Sequence, residues 1–581
     1  MRKNLFGLLS LLLVLLMLAA CAGQAPAEPA VEEVTEEETV VEEEQEAVVE
    51  EEQEAVAEEE EAVAEEEEAV AEEEAVAEEE AVAEEEEVEV ARIDQLDVAQ
   101  LGNPVDIDCW NWTSVDEIDI LQHFAEPLFR FNRDGELEGV VLEDWEMVSP
   151  MEWILHIRQG MMFHDSEYGE LNAEDVIASL EECFRPDGLG ITKQPGVVAE
   201  MELEATDDYT VRVTLPEPGT GGLPNNWVYT AITAKEYLEE VGDDFGQRPM
   251  GTGPFRFVEW VPNQRIVGER FEDYWGDGPA VERIVWRVLP DEFTRKSEFL
   301  TGGVDIVPFM APSWVQEVAD NPGTRSEPVL SARYIMVVFP AKQPPYNDQR
   351  VRQALNYAIN KQEIVNELFL GVGAALPTGV VNPVLPEGDP DREVYPYDPE
   401  MATQLLEEAR ADGVEIGTIT FYGPNDRYVL DREMGEAVAG YWRAIGLDVE
   451  FIPESRTTLF PRIQELQMTD PFIIGFGNTQ MRADYPFNIW LETRTDPPSR
   501  GSEYAVGPPE WDEMVAELSS LASGSPESVE LARELDELWI EYAPWAWVIN
   551  YVDLYGVSDE VEWEPYPNEM RLFNDVVPRE E

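Results

Sequence analysis

Residues 124–184 read FAEPLFRFNRDGELEGVVLEDWEMVSPMEWILHIRQGMMFHDSEYGELNAEDVIASLEECF. Leu128–Phe131 is short and apolar, and Asn132-Arg133-Asp134-Gly135 supplies turn chemistry. Trp153, Leu155 and Ile157 alternate with Ile154, His156 and Arg158, the period of a strand with one face more deeply buried. Gln159-Gly160 ends that run. Asn172 then stands where a helix N-cap belongs, with Asp175 three residues on and Val176, Leu180 and Phe184 as an apolar stripe. Strands followed by a helix place this segment in a mixed α/β fold.

The same residues resemble the signature region of bacterial family 5 extracellular solute-binding proteins, the peptide and nickel receptors of ABC importers. Its counterparts here are Glu126-Pro127-Leu128, Asn132-Arg133-Asp134-Gly135, Leu142-Glu143-Asp144-Trp145, Ile157-Arg158-Gln159-Gly160, Phe163-His164-Asp165 and Asn172-Ala173-Glu174-Asp175-Val176. Ser166 stands in place of a usual glycine and Asn172 in place of a usual threonine. Residues 250–291, MGTGPFRFVEWVPNQRIVGERFEDYWGDGPAVERIVWRVLPD, resemble a second family segment. Gly251 and Gly253 suit a tight backbone approach, and Pro254 fixes the start of strand Phe255–Trp260. GTG here and GVG at 371–373 lack the third glycine and the acid of a dinucleotide site. Residues 333–367 resemble a third segment, a strand and then a helix capped by Asn347 or Asp348, with Val351, Leu355, Ala358 and Ile359 on one face. Further on come a helix after Asp398-Pro399, a strand at Thr418–Tyr422, a helix near 431–444 and a strand at Ala546–Tyr551.

The resemblance covers about 105–576 and implies an α/β, two-lobed periplasmic-binding-protein fold of the large, three-subdomain type, with a hinge between lobes. The expected organisation is a signal peptide at 1–21, a tether at 22–92, and lobe I at 93–335 with an inserted subdomain near 132–249. Lobe II would follow at 336–545, with a return to lobe I at 546–581.

Arg2 and Lys3 precede an apolar run, Leu5–Met17, that is short for a membrane span. The run ends in Leu18-Ala19-Ala20-Cys21, which resembles a bacterial lipobox and implies a lipid anchor on Cys21. Each buried acyl CH₂ is worth ~0.8 kcal/mol, and two chains hold far better than one. Between residues 28 and 90 lie 33 glutamates with no Lys, Arg or Asp. Like charges at helical spacing oppose helix formation, and so polar a tract cannot bury enough surface to order itself. It reads as a disordered, self-repelling spacer whose contour reaches on the order of 200 Å at ~3.3 Å per residue. The formal net charge of −88 argues against nucleic acid or anionic membrane surface as a partner. It suits either a generally acidic exported protein or one adapted to high salt.

Three cysteines occur, and Cys109 and Cys183 could pair, although spacing supplies no geometry. His123, His156 and His164 are the only histidines, and no metal-ligand spacing is present. No nucleophile elbow or separable catalytic pair points to an enzyme, and no cofactor is implied. Val105–Thr113 reads as strand-like and, by the resemblance, reaches the cleft, making Trp110, Trp112 and Thr113 candidate ligand contacts. Arg350 and Arg352 are weaker candidates. The resemblance also singles out Asp484 and Tyr485, in Met481-Arg482-Ala483-Asp484-Tyr485, with Asp484 meeting a peptide α-ammonium. Met481 replaces the family's usual tryptophan, and Pro486-Phe487-Asn488 departs from the pattern.

The implied function is an extracytoplasmic, monomeric receptor that closes on a peptide and delivers it to a membrane permease. Oligosaccharides are the alternative ligand class. A surface hydrolase and a structural surface protein are the rival readings.

Overall fold

The computed structural model describes residues 91–580 except 105, 112–114, 150, 186, 189–200, 217–222, 491–499, 506 and 509. Cys21 and the glutamate-rich tract to residue 90 therefore lie outside the described residues, as do Trp112 and Thr113.

Strand β1 (Leu96–Gln100) and helix α1 (Val115–Gln122) open the described chain. Phe129–Phe131 pairs with Leu137–Gly139 across the expected turn. There Asn132 Oδ1 accepts from the N–H of Asp134 (3.0 Å) and Glu136 (2.9 Å), and Gly135 takes φ 80°. Next come β2 (Leu142–Ser149), β3 (Glu152–Ile157), α2 (Ala173–Cys183), β4 (Glu202–Asp207) and β5 (Thr210–Thr214). The four strands form an antiparallel sheet in the order β2-β3-β5-β4. Trp153, Leu155 and Ile157 are buried as their alternation requires. Asn172 caps α2 by accepting from Glu174 N–H (2.9 Å), while Asp175 accepts from Asn172 N–H (3.0 Å).

Further along, the elements that build the sheet and its cores include β6 (Phe255–Val261), β7 (Arg265–Arg270), β8 (Arg283–Val288), β9 (Ile306–Val307), β10 (Thr324–Val338), α3 (Gln349–Tyr357), α4 (Pro399–Ala411), β11 (Ile419–Pro424), α5 (Asp431–Ala444), β12 (Val449–Glu454), β13 (Phe472–Gly477), α6 (Asp484–Trp490), α7 (Pro526–Tyr542) and β14 (Trp545–Ser558). Eleven strands form one sheet, in the order β12-β11-β13-β10-β14-β9-β1-β8-β7-β6, with Ala374–Ala375 added to β14.

The long strands β10 and β14 lie mid-sheet, antiparallel to each other, and face two cores. Tyr334, Met336 and Val338 of β10, with Trp545, Trp547 and Tyr555 of β14, belong to one core. Ile335 and Val337, with Ala546, Val548 and Tyr551, belong to the other, together with Val351 and Leu355 of α3 and Val438 and Trp442 of α5. Strands covered on both faces need near-continuous apolar sequence, as β14 has (WAWVINYVDLYGVS). Each fully buried large aliphatic or Phe side chain contributes roughly 1.5–3 kcal/mol, so these crossings are firmly held.

The segments that carry the family resemblance converge on Glu126, which is 3% exposed. Its carboxylate accepts from Tyr274 Oη (2.6 Å), Trp275 Nε1 (2.8 Å) and Thr252 Oγ1 (3.1 Å). Burial raises its pKa, and the three donors work against that rise. His164 Nε2 donates to Gly253 O (2.8 Å). A Cβ on Gly251 would stand 2.6 Å from Ala125 Cα, and one on Gly253 would stand 2.6 Å from His123 O, so both positions require glycine.

Three expectations are corrected or resolved. The described residues between 106 and 111 form no strand, and turn at Cys109–Asn111. There Asp108 Oδ1 accepts from Trp110 N–H (2.9 Å), and an Asx-type turn competes with strand pairing. Cys109 and Cys183 are bonded, with Cα atoms 5.0 Å apart. Arg350 and Arg352 are structural. Arg350 pairs with Asp348 (2.8 Å) and Asp412 (2.7 Å), and buried Arg352 donates to the carbonyls of Tyr346 (2.7 Å), Tyr542 and Ala543.

Candidate ligand-binding site

The pairing of β10 with β14 runs from Thr324↔Ser558 to Val338↔Trp545, but shifts register between Leu330 and Tyr334. Such an irregularity re-aims side chains, and here Ser331 and Arg333 lie within it. Arg333 donates through Nε and Nη2 to Glu569 (2.6 and 2.7 Å), a bidentate pair, and Ser331 Oγ adds a third bond to Glu569 (3.2 Å). Glu569 has φ 68°, a left-handed conformation that a residue with a side chain seldom adopts. Two residues on, Arg571 pairs with Asp119 (2.7 Å) and Asp116 of α1. Burial pushes the Glu569 carboxyl up, but Arg333 outweighs it, and the net pKa lies below the ordinary glutamate value.

Asp553 of β14 lies opposite Val329, at the edge of the shift. It is 9% exposed, and Oδ2 has no hydrogen-bond partner among the described residues. Burial, with the nearby Glu569 charge adding, pushes its pKa up to about 7. Among the other buried atoms without partners in the described residues are the Tyr334 and Tyr555 hydroxyls and the amide atoms of Asn226, Gln480 and Asn550. Tyr334 and Asn550 are register partners across β10 and β14. Asn225 Nδ2 donates to Gln480 O (3.0 Å), and Tyr229 Oη donates to Thr479 Oγ1 (2.5 Å), so the segment 225–229 meets the turn 478–482. Buried polar groups are normally bonded, so the unbonded ones on β10 and β14 and where 225–229 meets 478–482 form the candidate site.

Asp484, expected to meet a ligand ammonium, meets Arg482 instead. Arg482 Nε donates to Oδ1 (2.9 Å) and Nη2 to Oδ2, while Asn488 Nδ2 (2.8 Å) and Ser519 Oγ (2.6 Å) also donate to Oδ2. Arg482 and Asp484 are both buried. Asn478 locks this turn, donating to Arg482 O (2.7 Å) and accepting from Arg482 N–H (3.2 Å). Tyr485, the next residue on α6, packs on Phe476 with centroids 5.4 Å apart, and burial pushes its hydroxyl pKa up to about 12. Trp110 belongs to another neighbourhood. The Cys109–Cys183 bond ties it to the end of α2, and Arg185 lies 4.0 Å above its ring.

Sequence reasoning singled out none of Arg333, Asp553, Glu569 and Arg571. One signal was readable: Asp553 is a lone acid in an otherwise apolar strand, and buried acids are rare unless paired. Among the described residues no group of three or more His, Cys, Asp or Glu could hold a metal, and no helix is long and apolar enough to cross a membrane.

A family model described as bacterial extracellular solute-binding proteins, family 5, middle region, matches residues 136–497. The chain belongs to this family. The glutathione-binding protein GsiB of Pectobacterium atrosepticum is 25% identical over 438 residues, which cover 73% of this chain and 82% of that protein. The dipeptide-binding protein of Escherichia coli is 25% identical over 346 residues, 53% of this chain and 62% of that one. The solved periplasmic binding protein DppA of Helicobacter pylori, in complex with the peptide STSA, superposes with a TM-score of 0.70 at 19% identity. That match covers 84% of this chain and 99% of DppA, and the shared fold is two-lobed and mixed α/β. The chain is therefore a substrate-binding receptor of a family that works outside the cytoplasm.

Proposed function

We propose that this receptor captures short peptides between its lobes and hands them to an ABC permease. The observation that carries the reading is the set of unbonded buried groups on the crossing strands and where residues 225–229 meet the turn 478–482. The amides of Asn226, Gln480 and Asn550 offer both donors and acceptors, and the hydroxyls of Tyr334 and Tyr555 can do either. A peptide backbone presents the same alternation of N–H and C=O. The relatives named for dipeptide and glutathione support this ligand class. Closure would desolvate those hydrogen bonds, and it responds to ligand only because the closed form binds more tightly.

The N-terminal 21 residues export the chain, Cys21 carries lipid, and residues 22–92 hold the receptor away from the membrane as a monomer. Metabolic labelling with a fatty acid should mark the protein, and Cys21→Ala should abolish the label.

Thermal unfolding of the whole chain with di- to pentapeptides, beside oligosaccharides, tests the ligand class. A ligand at 100-fold over its Kd adds ~2.7 kcal/mol and should raise Tm measurably. A rise with sugars alone would overturn the peptide reading and leave the receptor role standing.

A further inference from the structure

We infer that the cationic end of the ligand, the α-ammonium of a peptide, is received by Asp553 on the crossing strand β14 and not by Asp484. This rests on the peptide reading above. The first argument is occupancy. Asp484 accepts from Arg482, Asn488 and Ser519, so an internal guanidinium already supplies the cation that a ligand would bring. The second is what remains unbalanced at the crossing. Arg333 is engaged by Glu569, and Arg571 by Asp116 and Asp119. Asp553 is left with a buried oxygen that nothing among the described residues satisfies. A buried carboxylate without a cation is costly, and an ammonium is the compact donor that relieves it.

The third argument is position. Tyr551 and Tyr555 flank Asp553 on β14. Tyr551 Oη donates to Val429 O of the α5 side (2.8 Å), and Tyr555 packs on Trp563 at 5.3 Å. Asp553 thus sits between Tyr551 of one buried core and Tyr555 of the other. A ligand charge placed there contacts the strand that links both lobes. Tyr555, whose hydroxyl is also unbonded, is the neighbouring acceptor for a second N–H of the ammonium.

The charged groups around Asp553 are Glu569, Arg333 and Arg571, with the Ser331 hydroxyl beside them. Glu569 stays ionised through Arg333, so Asp553 is the member of this group that changes charge near neutrality. Binding an ammonium requires the carboxylate, and a free-amine peptide should therefore bind less well as pH falls from about 7.

Isothermal titration with one peptide, free and N-acetylated, decides the matter. The wild type should prefer the free amine by at least tenfold at pH 7.5, and that preference should shrink toward pH 5.5. Asp553→Asn should remove both the preference and its pH dependence while still binding the acetylated peptide. Asp484→Asn should keep the preference. Should Asp553→Asn fail to fold, the wild-type pH profile and the Asp484→Asn variant still decide, since a preference that does not shrink toward pH 5.5 would overturn the assignment. Equal binding of both peptides by the wild type, an unchanged preference in Asp553→Asn, or its loss in Asp484→Asn would each overturn the assignment and leave peptide binding intact. Absence of any peptide binding would instead overturn the reading beneath it.

Discussion

Glu126 and Asp553 are both buried acids at places where distant parts of the chain meet, yet their surroundings differ. Glu126 joins the segments around 126, 252 and 274–275, and accepts three hydrogen bonds from neutral donors. Asp553 lies on β14, mid-sheet beside β10, and one of its oxygens accepts none among the described residues. The first arrangement is complete within the chain; the second leaves one oxygen without a partner among the described residues. What separates Asp553 from Glu126 is an unbonded oxygen together with its place on the crossing strand, since Asp108, Asp119 and Glu387 also carry an unbonded buried oxygen. Neither burial nor motif membership does so, since Asp484 lies in a family motif and is bonded internally.

The largest expected effect breaks the complete site. Glu126→Ala leaves the Tyr274, Trp275 and Thr252 donors buried without an acceptor, and should cost about 3–5 kcal/mol in urea denaturation. A loss below about 1 kcal/mol would mean that the junction is not what holds lobe I together, and the contrast would fall. The next effect is acid sensitivity. Burial pushes His123 and His164 down to about 4, below the ordinary value near 6.5. His123 donates through Nδ1 to Asp119 O (2.7 Å) and accepts at Nε2 from Phe573 N–H (3.0 Å), so it is neutral in the fold. A folded pKa below the unfolded one means that the unfolded chain takes up protons first. The stabilisation is whole above about pH 6.5 and lost as pH falls through about 4, by up to about 3 kcal/mol for each histidine. Stability measured from pH 7 to pH 4 should fall, and His164→Gln, which keeps a donor for Gly253 O, should flatten the slope.

Much of the complete region was legible because local rules set it. The alternation at 153–157, the Asn172 cap, the glycines at 251 and 253 and the helix at 431–444 follow from side-chain period, capping chemistry and steric demand. The crossing-strand site was not, because long-range register makes it. Asp553 and Glu569 come together through a pairing shift over Ser331–Arg333 and a left-handed residue at 569, neither of which is written in local composition. The Arg482–Asp484 pair depends on the turn locked by Asn478, and the Cys109–Cys183 bond on α2 bringing two chain segments within 5.0 Å. The lone acid in β14 was the readable clue, and family resemblance pointed past it to Asp484.

The smallest expected effect tests the incomplete site without any ligand. Asp553 has a folded pKa of about 7, above the ordinary carboxylate value, so the unfolded chain releases its proton first as pH rises. Its penalty to stability is absent at low pH, grows through the range from about 4 to about 7 and is full above that. Asp553→Asn keeps the shape and removes the charge, and should therefore stabilise the protein at pH 8 by about 1–3 kcal/mol, an advantage that fades toward pH 4. The sign opposes that of the histidines, so the two regions separate in one pH series. A variant less stable than the wild type at pH 8 would place Asp553 beside Glu126 as a satisfied structural carboxylate. Arg333 or Arg571 would then be serving it as well as their own partners, and the charge left over for a ligand would no longer exist.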